Sequence, residues 1–298
     1  MSGALNTLNM IGAGRVGVAL GHLWAKAGVF EVQDVLTRSI DRARDAVRAI
    51  SAGRAVAALD EMRAADVWLV ATPDDAIAAS CARLARSDKL SAGNIVFHVS
   101  GATSSDELGS ARDRGAHVAS VHPIKAFMDS GTAAQSFAGT YCGMEGDARA
   151  LHVLKPAFEQ IGARLFEIAA EMKRIYHAGG VFACNYLSAL VEAAVLCHEK
   201  AGVPRAVSLK AIEPMVRETV DAIFGQGPAQ ALTGPVSRGD VATVRRQLEA
   251  LAKWTGDLAQ PYRQLGMLAV TLAEADRRLD GAQASELRRV LSGTAKSS

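Results

Sequence analysis

The chain has 298 residues, which is more than one typical domain and fits two. Its formal net charge of +2 excludes a nucleic-acid binder built on a dominant basic face. No apolar run reaches the roughly 18 residues that a membrane span needs, and the N-terminus has no signal-peptide pattern. The four cysteines form no close pair, so we expect free thiols and a cytoplasmic protein without membrane association.

Strand-like and helix-like segments alternate through the first half of the chain. The predicted strands are 8–11, 31–37, 66–71, 94–99, 117–121, 141–144 and 164–168. The predicted helices are 16–27, 40–50, 74–86, 105–114 and 151–161. This alternation predicts an α/β domain over residues 1–169, with a doubly wound parallel sheet of the Rossmann type.

No strand is predicted beyond residue 169, where Ala, Leu and Val become frequent. The predicted helices are 170–201, 205–224, 241–254, 257–279 and 284–291. Residues 170–298 are therefore predicted to form an all-α domain that supplies the substrate pocket. These helices carry more apolar residues than one small bundle needs to bury, which predicts a homodimer through this domain.

A glycine-rich segment follows the first predicted strand and opens the first predicted helix. It consists of Gly12, Ala13, Gly14, Arg15, Val16 and Gly17. In this context G-x-G-x-x-G is the dinucleotide-binding fingerprint. Its glycines allow a tight turn, the approach of a pyrophosphate to the backbone, and close packing of helix on strand. The free N–H groups at the start of the helix then face the phosphates.

The end of the second predicted strand indicates which dinucleotide binds. Asp34 lies about 20 residues past the second glycine, where NAD enzymes place an acid, but it falls inside the strand. The strand ends at Thr37, Arg38 and Ser39, and a cation between two hydroxyls suits a 2′-phosphate. We therefore expect NADP(H) as the cofactor, with Arg38 near its phosphate.

Three further strands end in polar segments, which meet at one edge of a doubly wound sheet. Thr72 and Pro73 are expected to form a wall beside the cofactor. Ser100 and Gly101 are expected near the nicotinamide, and His122 in the next loop can reach the same cleft.

The start of the long helix carries three candidate catalytic side chains, Lys173, His177 and Asn185. Residues four apart on a helix lie within about 40° of each other, so Lys173 and His177 can point into one cleft. Histidine suits proton transfer near neutral pH, which makes His177 the first candidate donor and Lys173 the second. Lys173 could also steer an anionic substrate. The alternatives are a structural histidine, a solvated lysine and a buried structural amide.

Together these motifs resemble one family over nearly the whole chain. The marks are the glycine-rich turn, the Thr-Arg-Ser strand end, Ser100-Gly101, His122-Pro123, Tyr176-His177, Asn185 and Leu232-Thr233-Gly234-Pro235. The chain resembles Rossmann-like proteins whose C-terminal half is a helical domain of unknown function. They belong to the superfamily of 6-phosphogluconate dehydrogenase, 3-hydroxyacid dehydrogenases, pyrroline-5-carboxylate reductase and ketopantoate reductase. The resemblance implies a dinucleotide-dependent redox role and a helical half like the C-terminal domain of 6-phosphogluconate dehydrogenase.

The chain departs from the superfamily at one place. Its hydroxyacid dehydrogenases carry a Lys and an Asn one helical turn apart, whereas here Lys173 is followed four residues later by His177. The Asn comes later, at Asn185, so a simple transfer of mechanism is in doubt.

Two functions from different classes remain open. The first is an NADP(H)-dependent oxidoreductase that reduces a small carbonyl or imine, for example a 2-oxo acid such as ketopantoate. The second is a non-catalytic protein that senses NADP(H). No pair of the seven histidines has ligand spacing with a carboxylate or thiol partner, so no metal is expected. The expected partners are a small, anionic substrate and a second copy of the chain.

Overall fold

The computed structural model describes residues 6–127 and 129–293, apart from the side chains of residues 130, 132 and 133. The chain divides into two compact units, Met1–Asn185 and Tyr186–Ser298. We placed the domain boundary at residue 169, where the predicted strands end. The first unit extends beyond that point because it includes the start of the long helix, where Lys173 is buried.

One sheet forms the centre of the first unit. Its strands are β1 (Asn6–Ile11), β2 (Phe30–Leu36), β3 (Arg54–Val56), β4 (Val67–Val70), β5 (Ile95–His98), β6 (His117–Pro123), β7 (Tyr141–Gly146) and β8 (Arg164–Glu167). They lie in the order β3-β2-β1-β4-β5-β6-β7-β8. The first six strands in this order are those of a doubly wound dinucleotide-binding sheet, which confirms the predicted fold class.

The pairing of β6 with β7 differs from the strictly parallel pattern that we expected. The other neighbouring strands run parallel, but β6 and β7 are antiparallel. The chain leaves β6 and enters β7 at the same end of the sheet, where the Ile124 amide donates to the Tyr141 carbonyl oxygen at 2.8 Å. This reversal places His122 directly opposite Gly143.

Helices cover both faces of the sheet. They are α1 (Arg15–Ala27), α2 (Ile40–Ile50), α3 (Ile77–Arg86), α4 (Gly109–Arg112), α5 (Ser130–Gln135), α6 (Ala148–Glu159) and α7 (Lys173–Gly180). On one face Trp24, Phe97 and Phe158 pack edge to face, with ring centroids 5.1 to 6.3 Å apart. On the other face Trp68 is fully buried. Because both faces are covered, the central strands read as continuous apolar runs, which made them predictable. Among the strands and α-helices that the structure describes in this unit, β3 and α5 have no counterpart among the predicted elements.

The second unit is helical, as predicted. Its helices are α8 (Tyr186–Lys200), α9 (Arg205–Gln226), α10 (Pro228–Ala231), α11 (Val241–Trp254), α12 (Gly256–Ala275) and α13 (Gly281–Ser292). Val244, Val270 and Leu287 belong to a buried cluster that α11, α12 and α13 share. The continuous helix predicted over 170–201 contains a π-helical turn at Val181–Asn185.

The helical stretch Ala170–Lys200 is exposed over most of its length. By length and composition alone it could cross a membrane, since its mean hydropathy is 1.6, and 6% of the apolar window is buried. This differs from our expectation, which required an uninterrupted apolar run and did not count helical windows that include a few charged residues. A single such helix is weak evidence for a membrane span.

Candidate active site

A cleft of about 750 Å³ opens at the carboxyl ends of the central strands in the first unit. This volume lies in the usual range for small-molecule sites. The predicted cofactor-binding residues that line it are Gly12, Ala13, Gly14, Arg15, Val16, Gly17, Thr37, Arg38, Thr72, Pro73 and Ser100. Two others lie elsewhere: Ser39 caps α2, and Gly101 faces two histidines.

The glycine-rich turn has the geometry that a dinucleotide requires. Gly12 has a φ of +86°, and a Cβ there would lie 2.6 Å from the backbone of Ala71. A Cβ at Gly17 would lie 2.9 Å from the Cβ of Ala71, whereas Gly14 faces open space. These are the roles of tight turn, helix packing and phosphate approach. Among the described residues Thr72 Oγ1 is buried without a hydrogen-bond partner, which leaves a polar atom for a ligand.

Four arginines line the cleft, namely Arg15, Arg38, Arg42 and Arg83. The sequence analysis identified the first two but not Arg42 and Arg83. Arg42 lies in the first turn of α2, where its amide donates to Ser39 Oγ at 3.4 Å. Arg83 comes from α3, so no local spacing could have connected it with Arg38. Guanidinium groups in this number suit a phosphate monoester.

Asp34 lies inside β2, as predicted, and has a structural role. Its buried carboxylate accepts hydrogen bonds from Arg54 Nε at 2.9 Å and Arg63 Nη2 at 3.0 Å. Burial alone would raise the pKa of Asp34, but the hydrogen bonds from Arg63 and Arg54 outweigh that effect and lower it. Because both oxygens have partners within β2 and its neighbours, Asp34 is not placed to bind a ribose hydroxyl.

Two imidazoles and a phenol meet where β5 and β6 end, and we call His122, Tyr176 and His177 the imidazole cluster. The ring centroids of His122 and His177 are 5.7 Å apart, and His122 Nδ1 lies 3.0 Å from the Tyr176 hydroxyl oxygen. A Cβ at Gly101 would lie 2.7 Å from His122 Nε2 and would also collide with His177 Nδ1. Since Ser100 lines the cofactor cleft, the cluster borders that cleft.

Burial governs the protonation of two members of the cluster, His122 and Tyr176. Burial, together with the nearby charges of His177 and Lys173, lowers the pKa of His122 to about 4. Burial raises the pKa of Tyr176 to about 12. At neutral pH His122 is therefore an uncharged imidazole and Tyr176 a protonated phenol, so each can exchange hydrogen bonds without carrying charge.

Lys173 is fully buried, so the alternative of a solvated lysine is wrong. Its Nζ donates to Ser120 Oγ and, at 3.2 Å, to Glu145 Oε1. Glu145 also accepts hydrogen bonds from the Ser105 amide at 2.9 Å and hydroxyl at 2.6 Å. Burial lowers the pKa of Lys173, and Glu145 partly opposes this. The ion pair fixes the start of α7 to β6 and β7, next to His177.

Asn185 lies apart from the imidazole cluster. It is exposed, at the end of the π-helical turn. Tyr176 is the group that sequence reasoning did not place in the site, although its position beside His177 was a signal. Glu145 and Ser120 gave no signal, because they look like ordinary strand residues. Over residues 6–127 and 129–293 no group of three His, Cys, Asp or Glu side chains could hold a metal ion.

Two family models match the chain. A Rossmann-like domain matches residues 3–123, and a domain of unknown function, DUF2520, matches residues 140–268. No curated protein matches the chain.

Solved structures share the fold over most of the chain. A protein from Thermotoga maritima is 26% identical with a TM-score of 0.73, covering 91% of this chain and 100% of its own. A reductive aminase from Aspergillus terreus, in complex with NADPH and ethyl-5-oxohexanoate, is 15% identical with a TM-score of 0.64, covering 95% and 98%. An imine reductase V8 variant from Myxococcus stipitatus, in complex with NAD+, is 16% identical with a TM-score of 0.60, covering 95% and 99%.

These matches confirm the resemblance drawn from the sequence motifs. The chain therefore joins a Rossmann-like domain to a C-terminal DUF2520 domain.

Proposed function

We propose that the protein is an NADP(H)-dependent oxidoreductase that reduces a small carbonyl or imine. One observation carries the proposal: the imidazole cluster borders Gly101, and the preceding residue, Ser100, lines the cofactor cleft. NADPH, when bound, supplies a hydride. The reduced carbonyl or imine also needs a proton, and His177 is the proposed donor because histidine transfers protons near neutral pH.

The choice of NADP(H) rests on residues of this chain. Arg38, Arg42 and Arg83 line one cleft and can neutralise a 2′-phosphate. Asp34, the acid that could have bound a ribose hydroxyl, is occupied by two arginines. Solved structures of this fold contain NADPH in one case and NAD+ in another, so the fold alone does not select the cofactor.

The substrate range follows from the same site. The expectation of an anionic substrate depended on Lys173, whose charge is paired with Glu145 in the interior. An anionic substrate is therefore no longer required, and neutral ketones and imines are candidates on the same footing as 2-oxo acids. Imines are included because two proteins of this fold are named as an imine reductase and a reductive aminase.

The experiment is a turnover assay that follows the loss of NADPH. The panel contains 2-oxo acids including ketopantoate, cyclic imines, and ketones with and without an amine. We expect turnover of at least one class by the wild type and little by His177→Ala. Tight NADPH binding without turnover of any compound would instead support the NADP(H) sensor.

We also propose a homodimer through α8 and α9. Large apolar side chains of these helices are exposed, namely Tyr186, Leu187, Leu190, Leu196, Val207, Leu209, Met215 and Phe224. Monomeric proteins rarely expose apolar surface on this scale, and a second copy would cover it. Light scattering tests this: a mass of 31.2 kDa that does not change with concentration would contradict the dimer. Recovery only in detergent would point to a membrane instead.

A further inference from the structure

We infer that Tyr176 fixes the tautomer of His122, so that His122 presents its Nε2–H to the space beside Gly101. Tyr176 is thus a positioning residue, and His122 is the group that would meet a substrate. The inference about the tautomer concerns the protein alone. What the Nε2–H would bind rests on the proposed function.

The contact between the two side chains is specific. His122 Nδ1 lies 3.0 Å from the Tyr176 hydroxyl oxygen, and the two rings meet edge to face at 87°. A neutral imidazole and a protonated phenol place one hydrogen atom between these two atoms. Either the phenol donates to Nδ1, or Nδ1–H donates to the phenol oxygen.

Three features favour donation by the phenol. A phenol is a stronger acid than a neutral imidazole, and the unprotonated imidazole nitrogen is the stronger acceptor. The phenol oxygen also lies against the backbone of Gly143, which opposes the rise in the pKa of Tyr176 that burial causes. Finally, the phenol packs tightly against the sheet, since a Cβ at Gly143 would lie 2.8 Å from the phenol oxygen. Gly143 stands opposite His122 in the sheet, so the same strand pair holds both partners.

The tautomer follows from this direction of donation. If Nδ1 accepts, the single hydrogen atom of the neutral ring lies on Nε2. Nε2 is the atom that a Cβ at Gly101 would approach to 2.7 Å, and His177 Nδ1 borders the same point. Because Gly101 has no side chain, both ring nitrogens can lie against it, and the preceding residue, Ser100, lines the cofactor cleft.

The two histidines then have different roles in the proposed reaction. The neutral His122 donates a hydrogen bond to the carbonyl oxygen or imine nitrogen and stabilises the charge that develops there. His177 transfers the proton and regains one from water. The groups that face His122 are Tyr176, His177 and Lys173. Burial and the nearby charges of His177 and Lys173 oppose protonation of His122 and so preserve this division.

The test of the tautomer is nitrogen NMR of ¹⁵N-histidine protein at pH 7, without cofactor. His122→Asn identifies the His122 signals by their loss. We expect Nε2–H in the wild type and a mixture of tautomers in Tyr176→Phe. Gly143→Ala keeps the hydroxyl but displaces it, and should also give a mixture. The control is Tyr141→Phe. Tyr141 lies on β7, as Gly143 does, but it is exposed and its hydroxyl lies near Arg164.

Kinetics separate the inference from the proposed function. Tyr176→Phe should lower kcat about 10-fold, the effect of one hydrogen bond, with unchanged NADPH affinity and unchanged activity in Tyr141→Phe. An Nδ1–H tautomer in the wild type, or identical spectra for wild type and Tyr176→Phe, would overturn the inference even if the protein reduces a carbonyl. An Nε2–H tautomer lost in Tyr176→Phe, in a protein that turns over nothing, would support the inference and reject the function.

Discussion

The cofactor cleft and the imidazole cluster lie side by side in the first unit but are built in opposite ways. The part of the cleft suited to the phosphates depends on one continuous turn whose glycines lack side chains, so the backbone makes that part of the site. The cluster depends on side chains 54 residues apart in sequence, from β6 and α7. A buried ion pair, Lys173 with Glu145, holds α7 in place. A backbone site is encoded locally, whereas a side-chain site exists only after the fold has formed.

If the two sites are independent, damage to the cluster should leave the cleft intact. His177→Ala should lower kcat by roughly 10²–10⁴-fold, the usual contribution of a general acid. NADPH affinity should not change, because His177 does not line the cleft. The measurements are steady-state kinetics and NADPH fluorescence titration. His152→Ala, an exposed histidine on α6, is the control. Wild-type turnover by His177→Ala would transfer the role to His122, and an unfolded variant would indicate a structural histidine.

The ion pair between Lys173 and Glu145 supports the helix that carries Tyr176 and His177, so removing this pair tests the support of the cluster. Lys173→Met should lower the free energy of unfolding by roughly 3–5 kcal/mol, because it leaves a buried carboxylate unpaired. Urea denaturation measures the loss, with the exposed Lys155→Met on α6 as the control. Adding Glu145→Gln should recover part of the stability. An effect on KM alone, with normal stability, would favour the original idea that Lys173 steers an anionic substrate.

Sequence reasoning predicted most of what the backbone determines. The glycine-rich turn, the end of β2 and the central strands were all found, because each is a contiguous pattern with a local physical cause. The antiparallel return of β7 was not found, since a short strand has the same pattern in either direction. The π-helical turn at Val181–Asn185 also leaves no clear pattern in an apolar helix.

Side-chain sites were predicted only in part. His177 and His122 were proposed separately, and no spacing showed that Gly101 would bring them together. Helical geometry predicted that Lys173 lies near His177. The burial of Lys173, however, depends on its ion pair with Glu145, which lies on β7. Arg83 joins the cofactor cleft from a different helix. Each missing piece is a contact between distant segments, which a single sequence does not reveal.

The cleft can be tested without disturbing the cluster. Arg38→Asp should weaken NADPH binding about tenfold or more and relatively favour NADH, since a charge-assisted bond to the phosphate is lost. Titrations with NADPH and NADH measure both affinities. Arg44→Ala is the control, because Arg44 is exposed on α2, the helix that follows Arg38, and pairs with Asp41. Equal affinity of the wild type for both cofactors would show that the arginines do not select the phosphate.

The pH dependence of stability tests the charge state of the imidazole cluster and its support. Burial, with the charges of His177 and Lys173, lowers the pKa of His122 to about 4. Burial, with the charge of Lys173, lowers the pKa of His98 to about 3. In the unfolded chain both would take up a proton near the usual 6.5. The unfolded state therefore binds more protons between these values, so stability is complete above pH 6.5 and falls as the pH decreases.

The expected slope is at most about 1.4 kcal/mol per pH unit for each of the two histidines. Urea denaturation between pH 6.5 and 5 measures it, in a window above the ordinary range of carboxylates. His122→Asn should remove about half of the slope, and the exposed His152→Asn should remove none. The expected neutrality of His98 has a structural reason, because its Nδ1 accepts from the Ser100 amide at 3.2 Å. A proton on His98 Nδ1 would face the Ser100 N–H and remove this hydrogen bond. If the free energy of unfolding does not change with pH, the hydrogen bond does not keep the His98 ring neutral.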